Sequence, residues 1–170
     1  MEAARERTAP LKPILVLGAV AAFVFLADQL TKALVVANVS TSEQISLFGG
    51  VVQIWNVRNR GAAFSLFQGE IALFLVVTVL ALAMIVYFHR SLRDRSLWLQ
   101  ALLGVILGGT LGNLVDRLRL GYVTDFLSVG IGDMRWPTFN VADSSIVVGI
   151  GLLVIYLAWT DHRAEAEARA

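Results

Sequence analysis

The sequence predicts an all-α polytopic membrane fold, a bundle of four transmembrane helices carrying a small extracytoplasmic β-sheet element. Three observations lead there. Hydrophobic residues make up 57% of the 170 positions and charged ones only 16%, more apolar surface than one soluble core of this size can hide. Four stretches, residues 13–36, 71–88, 97–115 and 141–159, have about the 17–25 apolar residues a helix needs to cross hydrocarbon. Between the first two lies a polar segment with hairpin patterning.

The first stretch follows Arg5, Arg7 and Lys12, as a secretory signal would. It is too long for a signal core and lacks a small-residue cleavage pattern, so it is read as a retained transmembrane helix. In residues 36–70, two β-rich runs, 45–48 and 51–57, flank Gly49 and Gly50, a two-residue hairpin signal in which glycine supplies the positive φ of the turn. The expected β-element covers about 44–64. Its apolar side, with Phe48 and Trp55, is suited to rest on the membrane, to cover a site, or simply to link helices. Residues 123–138 read as a loop, its polar part from 128 to 138 a candidate edge of a water opening. Residues 161–170, alternating Glu, Ala and Arg, read as a frayed helical end. The whole chain, 1–170, is expected to form one integral membrane domain.

Four spans put both termini on one side. Eight Lys and Arg fall there (5, 7, 12, 90, 93, 95, 163 and 169) and six on the other side (32, 58, 60, 117, 119 and 135), a mild bias that favours cytoplasmic termini. Asp28 and Lys32 then lie in the last third of span one, Asn113 to Arg117 end span three, Asp125 follows it, and Asn140 with Asp143 open span four. Separate stretches of sequence converge on one layer near the extracytoplasmic surface, where polar groups are costly unless paired or used.

Each group has a structural and a functional reading. Asp28 and Lys32, four apart, share a helix face and can pair; otherwise Lys32 reaches a lipid phosphate or an acidic residue of the site. Gly104, Gly108 and Gly112 repeat every four residues with Gly109 beside them, a bare face for close helix packing. Asn113 and Arg117 share a face near Asp116. Structural pairing of Asp116 with Arg117 or Lys32 stands against a direct substrate role. Asp125 and Asp143 have no basic residue within one helical turn of sequence. Two desolvated carboxyls sharing a site hold one proton between them, which suits general acid–base attack of water on a carbonyl; as the bland alternative they cap a loop and a helix start.

Other chemistries fit less well. The chain has no cysteine, which removes disulfides, thiolate metal sites and a cysteine nucleophile. The only histidines, His89 and His162, lie on the opposite side from the polar layer, so neither a zinc protease nor a Ser-His site is available there. Ser144 or Ser145 with Lys32 is a minor serine–lysine alternative. Nothing calls for a cofactor or metal, and a net charge of +1 points to no nucleic-acid partner.

Five blocks, residues 28–32 (DQLTK), 59–64 (NRGAAF), 108–117 (GGTLGNLVDR), 123–126 (VTDF) and 139–144 (FNVADS), resemble in order and spacing the bacterial lipoprotein signal peptidase family, signal peptidase type II. The resemblance implies an aspartyl endopeptidase of the bacterial inner membrane that removes the signal peptide from diacylglyceryl-modified prolipoproteins, cutting before the lipidated cysteine. It implies Asp125 and Asp143 as the catalytic pair, and Asp28, Lys32, Asn59, Gly61, Gly109, Asn113, Asp116, Arg117, Asn140 and Ala142 as substrate-contacting or supporting positions. It also implies membrane lipids and cyclic peptide inhibitors of the globomycin type as partners. The runner-up from the residues alone is a small proton-coupled transporter or channel subunit, whose carboxylates would be strung through the membrane rather than bunched at one side.

Overall fold

The computed structural model describes residues 11–61, 71–92 and 96–168. Four helices are long and apolar enough to cross a membrane: α1 (Leu11–Asn38), α2 (Ile71–Leu92), α3 (Leu97–Leu120) and α4 (Val141–Ala168). The 28 residues of α1 span about 42 Å at 1.5 Å per residue, enough for a hydrocarbon core of about 30 Å. Large apolar side chains such as Phe23, Leu26, Val79 and Val147 point outward, exposed to the surroundings. In water that surface would be costly; in lipid it is the expected face.

Helix α3 is the hub, touching the other three. Leu99, Leu102, Leu103 and Ile106 pack with Leu17, Ile85 and Leu153 in the core. Ser96 caps its start by accepting from the Trp98 N–H at 3.1 Å, and Gly121 ends it at φ 74°, its N–H donating to the Arg117 carbonyl. The glycines divide between two neighbours: a Cβ on Gly104 or Gly108 would meet the carbonyls of Leu17 or Ala21 on α1, and one on Gly109 the carbonyl of Ala142 on α4. Small residues let these backbones approach closely.

The β-element is larger than expected. Strands β1 (Gln44–Leu47), β2 (Val52–Asn59), β3 (Val123–Ile131) and β4 (Met134–Arg135) form one antiparallel sheet in the order β1-β2-β3-β4. The region read as a loop after α3 is therefore mostly strand, and Asp125 stands on a sheet. Residues 123–131 carry β-branched and aromatic residues (Val123, Thr124, Phe126, Val129 and Ile131) that favour a strand, and Gly132 turns the chain at φ 56° into β4. The β1–β2 connection also differs from a two-residue turn. Leu47 and Val52 are the last pair, and the four-residue loop between them puts Phe48, Gly49 and Gly50 at φ 51°, 67° and 91°. Three successive left-handed residues need more room than a two-residue turn gives. Residues 62–64 of the expected β-element, and residues 93–95 of the loop after α2, lie outside the described residues, as do Arg5, Arg7 and Arg169.

Candidate functional site

The sheet sits at the end of the bundle where α1 and α3 finish and α4 begins, and the polar blocks meet there in three tiers. The deepest tier is ionic. Lys32 Nζ lies 2.8 Å from Asp28 Oδ2 and 3.0 Å from Asp116 Oδ2, and donates to Asn113 Oδ1 at 3.1 Å. An ammonium has three donors, and all three are used. Asp28 Oδ1 accepts the Ala142 N–H at 2.9 Å, satisfying one of the donors left open at the start of α4. Asp116 Oδ2 accepts the Thr124 N–H at 3.1 Å and so fixes the start of β3. Gln29 bridges Asp28 and Asp116 at 3.2 and 3.1 Å. Of the pairings left open by sequence, Asp116 takes Lys32 and not Arg117.

The second tier is a pair of amides. Asn113 turns its oxygen to the Lys32 ammonium, which leaves its Nδ2 to donate to Asp143 Oδ1 at 2.7 Å. Asn140 Nδ2 donates to Asp125 Oδ1 at 2.7 Å and to Asn113 Oδ1 at 3.2 Å. Its Oδ1 accepts the Asp143 N–H at 2.9 Å while its own backbone N–H donates to Asp143 Oδ2 at 3.2 Å. That reciprocal pair is a capping box at the start of α4, so the helix-capping reading of Asp143 is part of what holds it.

The third tier is the two aspartates. Asp125 Oδ2 accepts from Asn59 Nδ2 at 2.7 Å, and Asn59 Oδ1 is held by the Gly61 N–H at 2.9 Å. All four carboxylate oxygens of Asp125 and Asp143 therefore receive uncharged donors. Among the described residues neither aspartate joins an ion pair. Asp125 is 1% exposed, and its pKa is pushed up from 3.8 to about 7. Burial is the largest cause and the Asp143 carboxylate adds to it, against the Asn59 and Asn140 amides and the Lys32 charge.

Both aspartates line a cavity of about 350 Å³ together with Asn59, Gly61 and Arg117. Arg117 lies half-buried on its wall, donating to the Asn113 carbonyl at 3.3 Å with its guanidinium 4.7 Å from the centre of the Phe74 ring. Of the other residues singled out in the sequence, Asp28, Lys32, Asn113, Asp116 and Asn140 stand behind the cavity as its support. Ala142, wholly buried, and Gly109 seat α4 on α3. The remaining wall is formed by Phe74 of α2, Ile146 and Val147 of α4, and residues 136–139; residues 136–138 belong to the stretch read as the edge of an opening, whereas Phe74, Ile146 and Val147 escaped sequence reading. Phe74 is one apolar residue among many in a span, whereas Trp136 and Pro137 inside a polar stretch were a usable signal. Among the described residues no cluster of His, Cys, Asp and Glu could hold a metal ion.

The fold defines the class first. Two solved structures described as a bacterial membrane enzyme obtained by the in meso method, at 2.3 and 1.9 Å resolution, superpose with TM-scores of 0.74 and 0.71. They are 30% and 31% identical in sequence, covering 90% and 87% of this chain and 90% and 93% of theirs. The chain is thus a polytopic membrane protein of bacterial membrane-enzyme fold. The family profile described as Signal peptidase (SPase) II matches residues 20–159, and the chain belongs to that family of peptidases. Relatives named lipoprotein signal peptidase include those of Halothermothrix orenii, 42% identical over 82% of this chain and 92% of its own length, and Dehalococcoides mccartyi strain BAV1, 51% identical over 78% and 82%. A third, from Enterococcus faecalis, is 39% identical over 84% and 86%.

Proposed function

We propose that this peptidase removes signal peptides from diacylglyceryl-modified prolipoproteins by an aspartyl mechanism, cleaving before the lipidated cysteine, with Asp125 and Asp143 as the catalytic pair. The observation that carries the reading is the pair itself: two carboxyls from different elements lining one cavity, held by neutral amides while the only buried lysine is committed to Asp28 and Asp116. Such a pair keeps one proton near neutrality, and Asp125, raised to about 7, is poised to be the partner that carries it.

The chemistry follows. The ionised carboxyl takes a proton from water as it attacks the scissile carbonyl, while the protonated one donates a hydrogen bond to the developing oxyanion. Collapse of the tetrahedral intermediate returns a proton to the amine of the lipidated cysteine. Membrane lipids present the substrate laterally, which accounts for a site at one end of a lipid-facing bundle. Cyclic peptides of the globomycin type would occupy the same cavity. Lys32, Asp28, Asp116, Asn113 and Asn140 position the pair, and Asn59, Gly61 and Arg117 stand where substrate backbone would pass.

A proton-coupled transporter would need carboxylates through the depth of the bundle. The aspartates of α1, α3 and the start of α4 bunch at the sheet end instead, and at the far end the buried polar side chain is the neutral Gln100, whose Oε1 accepts from His89 Nδ1 at 2.6 Å. The test is cleavage of a lipid-modified prolipoprotein by purified protein, with Asp125→Asn and Asp143→Asn at matched folded amounts. Loss of at least about a hundredfold in kcat for both is expected; robust cleavage by either variant overturns the assignment.

A further inference from the structure

Strands β2 and β3 do not pair in a single register. Val52, Gln53 and Ile54 face Val129, Ser128 and Leu127, whereas Val57, Arg58 and Asn59 face Asp125, Thr124 and Val123. Trp55 and Asn56 together stand opposite Phe126 alone, a β-bulge. Opposed residues share a face and faces alternate along a strand, so one extra residue inverts the face of everything beyond it. The face of Leu127, Asp125 and Val123 receives Ile54 before the bulge and Val57 and Asn59 after it. Asn59 is thereby brought diagonally to Asp125, 2.7 Å away. Arg58 goes to the other face, its guanidinium 5.4 Å from the centre of the Tyr122 ring. Without the bulge, the register of residues 52–54 would set Arg58 opposite Val123, in the place Asn59 now holds.

One side chain pins the bulge. Asn56 Nδ2 donates to the Val39 carbonyl at 2.8 Å, and buried Val39 is itself tied back to α1 through its N–H to Val35 at 2.8 Å. The extra residue is therefore fastened to the helix that carries Asp28 and Lys32. We propose that Asn56 is a positioning residue: by donating to Val39 it holds the bulge that presents the neutral Asn59 amide, and not the Arg58 guanidinium, to Asp125.

The consequence for chemistry rests on the proposed role of Asp125. Charged groups already reach it from three elements, Asp143 of α4, Lys32 of α1 and Arg117 of α3. A guanidinium added from β2 would favour the carboxylate and draw off the proton that the acid partner needs.

Three full-chain experiments in detergent test this. Because the chain lacks cysteine, the register can be read by disulfide capture between opposed positions, whose Cα separation suits the bond. Arg58→Cys with Thr124→Cys reports the bulged register and Val57→Cys with Thr124→Cys the straight one. In the presence of Asn56 the first pair is expected to close and the second not; adding Asn56→Ala shifts capture toward the second. Cleavage by Asn56→Ala alone should lose about tenfold in kcat, the share of one ordinary hydrogen bond, with KM little changed. Its alkaline limb should move to lower pH by about one unit or more. Deleting Asn56 removes the bulge yet leaves residues 57–59 opposite their present partners, so the deletion should keep the parent pH profile. Parent-like capture and profile in Asn56→Ala overturns the proposal, as does a deletion variant that behaves like Asn56→Ala, and so does capture of the second pair as readily as the first when Asn56 is present. A switch in capture with no movement of the pH profile supports the register role and counts instead against Asp125 as the proton-carrying partner.

Discussion

At the scale of single residues, Asp125 links stability to pH with a definite sign. An unfolded aspartate loses its proton near 4, whereas Asp125 in the fold keeps it to about 7. The folded state therefore binds more protons between those values, and stability falls as pH rises from about 4 to about 7, then levels. Asp125→Asn removes this dependence. Asparagine has one oxygen for the two amides of Asn59 and Asn140, so some stability is lost at every pH, but the thermal midpoint of the variant should be flatter than the parent's over that window in detergent. A parent midpoint that rises from pH 5 to 7 would contradict the assignment. In cleavage, the same titration should appear as a fall of kcat/KM through an apparent pKa near 7. Lys32 gives the complementary case. Its removal leaves Asp28 and Asp116 facing each other across a buried gap without their cation, a cost of about 3–5 kcal/mol. Lys32→Ala is expected chiefly to lower folded yield and midpoint; normal yield with abolished cleavage would point to a direct role.

At the scale of elements, legibility in sequence followed the length of the signal. The helices declare themselves because each needs about twenty apolar residues, and the glycines of α3 read as a face for close packing, whereas its caps, Ser96 and Gly121, were not singled out. Strands β3 and β4 did not, because a sheet at a membrane surface uses polar and apolar residues in short runs that resemble a loop, and a two-residue β4 has no sequence period at all. The aspartate pair was legible as isolated carboxyls, yet the tiers behind it were not: that Asn113 faces Lys32 with its oxygen and Asp143 with its nitrogen follows only from packing α1, α3 and α4 together. The glycine seats are the testable part. A Cβ at Gly108 would stand 2.6 Å from the Ala21 carbonyl and 2.7 Å from Val24 Cβ, distances neither helix backbone can relieve without moving. Gly108→Ala should lower the midpoint by the equivalent of about 1–3 kcal/mol, while Gly18→Ala, which meets nothing within 4 Å, should be neutral or slightly stabilising through helix propensity. Equal effects of the two would remove close packing as the reason for these glycines.

For the whole molecule, the open quantity is orientation, and it follows from placing the cavity, the sheet and the charges in one frame. The sheet and both aspartates share the end of the bundle where α1 finishes, so the connection from α1 to β1 lies on the same side of the membrane as the cavity. The opposite end carries the close of α2, with His89 and Arg90, and the helical tail beyond Trp159, whose ring sits 4.6 Å below the Arg163 guanidinium. The eight-to-six excess of Lys and Arg on that side mildly favours the cytoplasm, and an aromatic ring under an arginine suits the interface at that depth. Substrates that are exported and then lipid-modified would meet the cavity from the outer leaflet only in this orientation. The absence of native cysteine makes the test clean: Glu43→Cys, exposed beside the sheet, should react with a membrane-impermeant maleimide added outside intact cells, and Ala166→Cys, exposed on the tail of α4, should react only after the membrane is opened. Reversal of that pattern would put the cavity on the cytoplasmic side, where a signal peptide already carried across the membrane could not present its cleavage point, and the proposed substrate would have to be abandoned along with the topology.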